Sequence, residues 1–145
     1  MTLKRSNMMI TITNREEIPI LKEQDVVPLR NRVKECAVKL GMSILNQTKV
    51  ITATSELVRN LLKYGGGGRV VIEAVSNGRD NGVRVTFIDR GPGIADIPLA
   101  MKDGYSTGKS LGLGLPGTKR LVNDFDIQSE VGIGTTVTIT KWKNG

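Results

Sequence analysis

Histidine is absent from this 145-residue chain, cysteine occurs once, and the aromatic residues amount to one Trp, two Tyr and two Phe. With no histidine and only Cys36, a Cys/His metal site is excluded and no internal disulfide can form. Cys36 falls within a helical pattern and reads as a buried thiol. So few rings leave few stacking platforms for single-stranded nucleic acid, and the core must be assembled from Val, Ile, Leu and Met. No apolar run approaches the roughly 18 residues of a spanning helix, and no apolar stretch of signal-peptide kind follows Lys4 and Arg5. A cytoplasmic protein with no membrane and no nucleic-acid partner is expected.

What the chain does have is positive charge and glycine. The net charge is +7, with 21 basic residues spread along the sequence. Such scatter reads as a solvated surface, with some cations left for phosphates or for an acidic protein partner. The length suits one domain, residues 1–145, with a single core. The 17 glycines gather at 65–68, 91–93, 104–117 and 132–134, which makes these loops the first functional hint.

Met8 to Thr13 reads as a first strand, followed by a polar, Pro-containing connection to Gln24. Apolar residues at Val26, Leu29, Val33, Ala37 and Leu40 recur at helical spacing and end at Gly41. A second helix, capped by Ser43 or Asn46, carries Val50, Ile51, Thr54, Leu57, Val58, Leu61 and Leu62 on its apolar stripe. Arg69 to Ser76 and Val83 to Ile88 form an antiparallel hairpin around a turn rich in Asn, Asp and Gly. A short helix near Ile97 to Met101, a helix from Leu115 to Asn123, and strands Phe125 to Ser129 and Thr136 to Trp142 complete the chain. This order lacks the strict alternation of a doubly wound sheet. The expected fold is α+β: a two-layer α/β sandwich with a mixed, mainly antiparallel sheet and helices on one face.

Two nucleotide motifs are imitated and rejected. Gly112-Leu113-Gly114-Leu115-Pro116-Gly117 fits the dinucleotide fingerprint, but no strand leads into it and the downstream acids come too soon. Gly104 to Ser110 has one residue too few between its glycines for a phosphate-binding P-loop. Its backbone amides, the hydroxyls of Ser106 and Thr107, Gly108 and Lys109 nonetheless suit phosphate oxygens.

Glu56 and Asn60 stand four apart and share one helix face. The Asn60 carbonyl oxygen could ligate Mg²⁺, and Glu56 could take a proton from an attacking hydroxyl. Taken alone, the pair could equally be a solvated helix face. Asp89-Arg90-Gly91-Pro92-Gly93 ends a strand; Asp89 could accept from an exocyclic amine, and Gly91 and Gly93 let a flat base approach the backbone. Taken alone, this could be an ordinary turn.

Together, Glu56-x-x-x-Asn60, Asp89-x-Gly91-x-Gly93, Gly112-x-Gly114 and Gly134-Thr135 resemble the GHKL (Bergerat-fold) superfamily of gyrase, heat-shock chaperone, histidine-kinase and mismatch-repair ATPases. The likeness covers residues 50–142. With no extra domain for dimerisation or phosphohistidine work, the chain is most similar to the small anti-sigma and switch serine/threonine kinases of bacterial stress modules. Ser55 to Asn60, Gly104 to Thr107 and Gly114 to Leu121 resemble the stressosome switch-kinase type. Leu61-Leu62-Lys63-Tyr64-Gly65 stands where the anti-sigma branch usually has a histidine, which favours the switch kinases.

The resemblance implies ATP and Mg²⁺ as cofactors, Glu56 as general base, Asn60 as Mg²⁺ ligand, Asp89 as adenine reader and Thr135 as its companion. It also implies Gly91, Gly93, Gly112 and Gly114 as shapers of the pocket and of a lid at Gly104 to Gly117. The implied substrate is a STAS-domain antagonist protein, with a phosphatase or cyclase as a possible second partner. The alternative is an anti-sigma kinase that sequesters a sigma factor.

Overall fold

The computed structural model describes residues 9–102 and 114–145. Strand β1 spans Thr11–Ile20, helix α1 Val26–Lys39 and helix α2 Ile44–Lys63. Strands β2 (Gly68–Ser76) and β3 (Asn81–Asp89) follow, then α3 (Ile97–Ala100), α4 (Leu115–Leu121), β4 (Asp124–Glu130) and β5 (Gly134–Trp142). Among the described residues the sheet has five strands in the order β1-β2-β3-β5-β4, and all four pairings are antiparallel.

The helices lie on one face of this sheet. Leu29, Val33 and Ala37 of α1 and Val50, Ala53, Leu57, Val58 and Leu61 of α2 are buried in one cluster with Val70, Ile72, Val83, Val85, Phe87 and Ile139. That is the spacing of a helical stripe laid over alternate strand residues. Thr54 is fully buried in this stripe because its hydroxyl donates to the Val50 carbonyl at 2.8 Å. Among the described residues no helix covers the other sheet face, where charged and hydroxyl side chains stand beside the buried Val71 and Val75. On it the largely buried Glu73 pairs with Arg84 at 2.8 Å, across the β2–β3 pairing.

Helix ends follow the sequence signals closely. Ser43 accepts from the Asn46 amide at 3.1 Å, so Ser43 rather than Asn46 caps α2. Gly41 takes φ +81°, and the amides of Gly41 and Met42 return to the carbonyls of Val38 and Ala37, which closes α1 in a left-handed turn.

Several boundaries shift by one or two residues, and that of the first strand by more. The first strand runs to Ile20 rather than stopping at Thr13, and Met8 lies outside the described residues. β1 is an edge strand with a register shift between Ile12 and Asn14, so it needs apolar residues on one face only, and Ile18 and Ile20 supply them. Pro19 is tolerated because an edge strand has one unpaired side. Helix α4 stops at Leu121, short of Asn123. There the Asn123 amide donates to the Thr140 carbonyl and its side-chain oxygen accepts from the Trp142 amide, so the chain is already joining the sheet.

Candidate functional site

The inward-facing residues of β3 are Val83, Val85 and Phe87, all buried. The next residue of the same parity is Asp89, the last of the strand. In β5 the inward Val137 and Ile139 are preceded by Thr135, and in β4 the inward Phe125 and Ile127 are followed by Ser129. Three strands thus end their apolar alternation in a polar residue at the same edge of the core, because the pleat repeats every two residues.

These polar groups bind one another. Asp89 Oδ1 accepts from the backbone amides of Gly91 at 2.8 Å and Thr135 at 3.1 Å. Ser129 Oγ lies 2.8 Å from Thr135 Oγ1, accepts from the Ile94 amide at 2.7 Å and donates to the Gly134 carbonyl at 3.2 Å. Asp89 is therefore held by one oxygen. The other, Oδ2, faces Gly65, where a Cβ would stand only 2.7 Å away. The missing side chain at Gly65 is what leaves room for the Asp89 carboxylate.

Asp89 and Thr135 line a cavity of about 200 Å³ whose walls include Leu57, Leu61, Phe87, Leu115, Ile127 and Val137, with Asn60 and Tyr64 of α2 at its rim. Gly93 lines it too, at φ +79°. A Cβ on Gly93 would come within 2.5 Å of the Glu130 carbonyl oxygen, so the loop can close on the β4–β5 hairpin only with glycine there. An apolar slot with a carboxylate oxygen at one end suits a flat heterocycle bearing an exocyclic amine. Adenine has that chemistry.

Asn60 opens onto the cavity and Glu56 does not. One turn earlier on α2, Glu56 stands beside the start of α4: a Cβ on Gly114 would lie 3.0 Å from its Oε2. Its Oε1 pairs with Arg59 at 3.1 Å, and both side chains reach solvent. The acid is thus placed outside the slot, at the end of the glycine-rich segment. Ser106, Thr107, Gly108, Lys109 and Gly112 lie outside the described residues. Among those described, no group of three or more His, Cys, Asp or Glu is placed to hold a metal.

The structure also brings in Gly65 and Ser129, which the sequence reading did not single out. Ser129 had a legible signal, a hydroxyl at an inward position after two apolar ones. Gly65 stood within the 65–68 glycine cluster, but its role was not legible there, since glycine after a helix is an ordinary end cap.

Residues 45–144 match the family of Histidine kinase-, DNA gyrase B-, and HSP90-like ATPases, and the chain belongs to that family. Within it, the chain is 41% identical over 125 residues to the Serine/threonine-protein kinase RsbT of Bacillus subtilis (strain 168), covering 86% of this chain and 94% of that protein. It is 31% identical over 137 residues to the Anti-sigma F factor of Thermoanaerobacter sp. (strain X514), covering 90% and 94%. Its fold is similar to the RsbU and RsbW domains of Rv1364c from Mycobacterium tuberculosis. There the TM-score is 0.61 at 23% identity, over 89% of this chain and 32% of that one.

Proposed function

We propose that residues 1–145 form one ATP-dependent serine/threonine protein kinase domain that acts as a switch in a bacterial partner-switching stress pathway and phosphorylates a STAS-domain antagonist protein. The observation that carries the ATP site is Asp89, anchored through Oδ1 in the wall of an apolar slot. The kinase assignment rests on the likeness to RsbT over most of both chains.

Bound ATP supplies the γ-phosphoryl group, and Mg²⁺ its charge neutralisation. Asp89 accepts from the adenine amine, the walls around Phe87 and Leu115 exclude water from the base, and Asn60 offers its amide oxygen to the metal. Glu56 takes the proton of the substrate hydroxyl as that oxygen bonds to the γ-phosphorus and the bond to the departing ADP oxygen breaks. Positioning and electrostatics carry such a transfer, so a base outside the adenine slot, beside Gly114, is suitably placed. Ser106, Thr107, Gly108, Lys109, Gly112 and Gly114 complete the phosphate contacts and the lid.

A second reading, an anti-sigma kinase, is favoured by the Anti-sigma F factor match. Copurification with a sigma factor decides between the two. The test of the main reading is calorimetric titration of Mg-ATP into the native chain and into Asp89→Asn. Binding by the first, weakened by roughly ten- to a hundredfold in the second, is expected for a lost charge-assisted hydrogen bond. Equal binding overturns the site.

A further inference from the structure

The antiparallel sheet puts the cavity at one end of the molecule and a different chemistry at the other. β5 carries Thr135 at the cavity end and, six residues on and of the same parity, Lys141 at the base, roughly 20 Å away at strand rise. Helix α2 runs the opposite way, from Ser43, which caps it at the base, to Asn60 at the cavity. The base is closed by the α1–α2 turn and by the segment after β5. The Asn46 side chain donates to the Lys143 carbonyl at 3.2 Å, and the Lys143 ammonium lies 3.4 Å from where a Cβ on Gly41 would be.

This end combines exposed apolar side chains with unneutralised cations. Val38, Ile44 and Leu45 are 52%, 80% and 64% exposed. Around them stand Lys39, Lys49 and Lys143, with Lys141 beneath at 4% exposure. Among the described residues Arg15, Arg32, Arg59, Arg69 and Arg84 form ion pairs, whereas Lys39, Lys49 and Lys143 have no side-chain carboxylate within pairing distance. Asp80 at this end is taken up by the backbone and side-chain amides of Asn144. Lys141 donates to the Gly145 carbonyl at 3.3 Å, and loss of hydration together with the nearby Lys49 charge lowers its pKa.

We propose that this basal face is a second protein-docking surface, which takes an acidic segment bearing apolar side chains from a partner protein. Val38, Ile44 and Leu45 receive the apolar side chains, and Lys39, Lys49 and Lys143 receive the carboxylates. Three apolar side chains are too small an area for membrane anchoring, which takes more buried hydrocarbon than a single acyl chain supplies. Nucleic acid would leave those side chains against water. An acidic protein segment matches both features. The face lies away from the cavity, so it could be occupied while nucleotide is bound, and it does not depend on the kinase reading.

The test uses the full chain and a fluorescent synthetic amphipathic peptide with Leu on one face and Glu on the other, titrated by anisotropy. A Gln-for-Glu peptide and phosphatidylglycerol vesicles serve as comparisons. The expected result is saturable, salt-sensitive binding of the acidic peptide, weakened roughly tenfold or more in Lys49→Glu/Lys143→Glu and in Ile44→Ser/Leu45→Ser. Unfolding midpoints by circular dichroism establish that both variants are folded. No binding, equal binding by the variants, equal binding of the Gln peptide, or binding to vesicles in preference to the peptide overturns the proposal.

Discussion

Asp89 is fixed through one oxygen by the amides of Gly91 and Thr135, in the wall of the apolar slot. Glu56 is the residue on which transfer, as distinct from binding, should depend. Glu56→Ala is expected to lower phosphotransfer by roughly 10²–10⁴-fold while the calorimetric ATP affinity stays near the native value. A parallel fall in affinity would place Glu56 in binding instead. Cys36 gives a different residue-scale test. It is half-buried, and loss of hydration raises its thiol pKa above the ordinary 9.0. At neutral pH its thiolate fraction is therefore smaller than in the unfolded chain, and alkylation by iodoacetamide should be slower in the native protein than in denaturant. Both site carboxylates were legible as candidates from residue type and spacing. That one lies in the slot and the other outside it was not, because sharing a helix face with Asn60 does not fix which of the two the sheet covers.

At the scale of elements, α2 supplies from one helix both the core stripe and Asn60 and Glu56, the residues proposed for metal binding and proton transfer. Its start depends on the Ser43 hydroxyl, which satisfies the Asn46 amide. Ser43→Ala should cost about 1 kcal/mol in urea unfolding, and Ser43→Asp should recover most of it. ATP affinity should be unchanged, because the cap lies roughly 24 Å along the helix from Asn60 at helical rise. An affinity loss would mean that the start of the helix is coupled to its functional end. Helical elements were legible to within a residue or two because their stripes and caps are local. Strand β1 was cut short for the opposite reason. Arg15, Glu16 and Glu17 look like a loop until β2 is placed beside them, where Arg15 and Glu17 meet Glu73 and Val71 on the open face.

At the scale of the whole molecule, the cavity is roofed by α2 and floored by β3 and the β4–β5 hairpin, elements distant in sequence from one another, so ligand binding should stabilise the entire fold. With Mg-ATP at a hundredfold over its dissociation constant, the native chain should gain about 2.7 kcal/mol of unfolding free energy, seen as a raised melting temperature. Asp89→Asn at the same concentration, binding roughly ten- to a hundredfold more weakly, should gain only about 0.4–1.4 kcal/mol. A shift of equal size in both would mean that the nucleotide binds elsewhere. The sequence by itself determined the helices, the hairpins, the α+β class and the motif residues, because stripe periodicity, caps, turns and short spacings are properties of neighbouring residues. Only the tertiary structure decided that Asp89, Thr135 and Ser129 meet, that Gly65 clears a space for the Asp89 carboxylate, and that a cationic, apolar face closes the opposite end. Those outcomes depend on which strands lie side by side, and strand order is set by packing of the whole core rather than by any local stretch of chain.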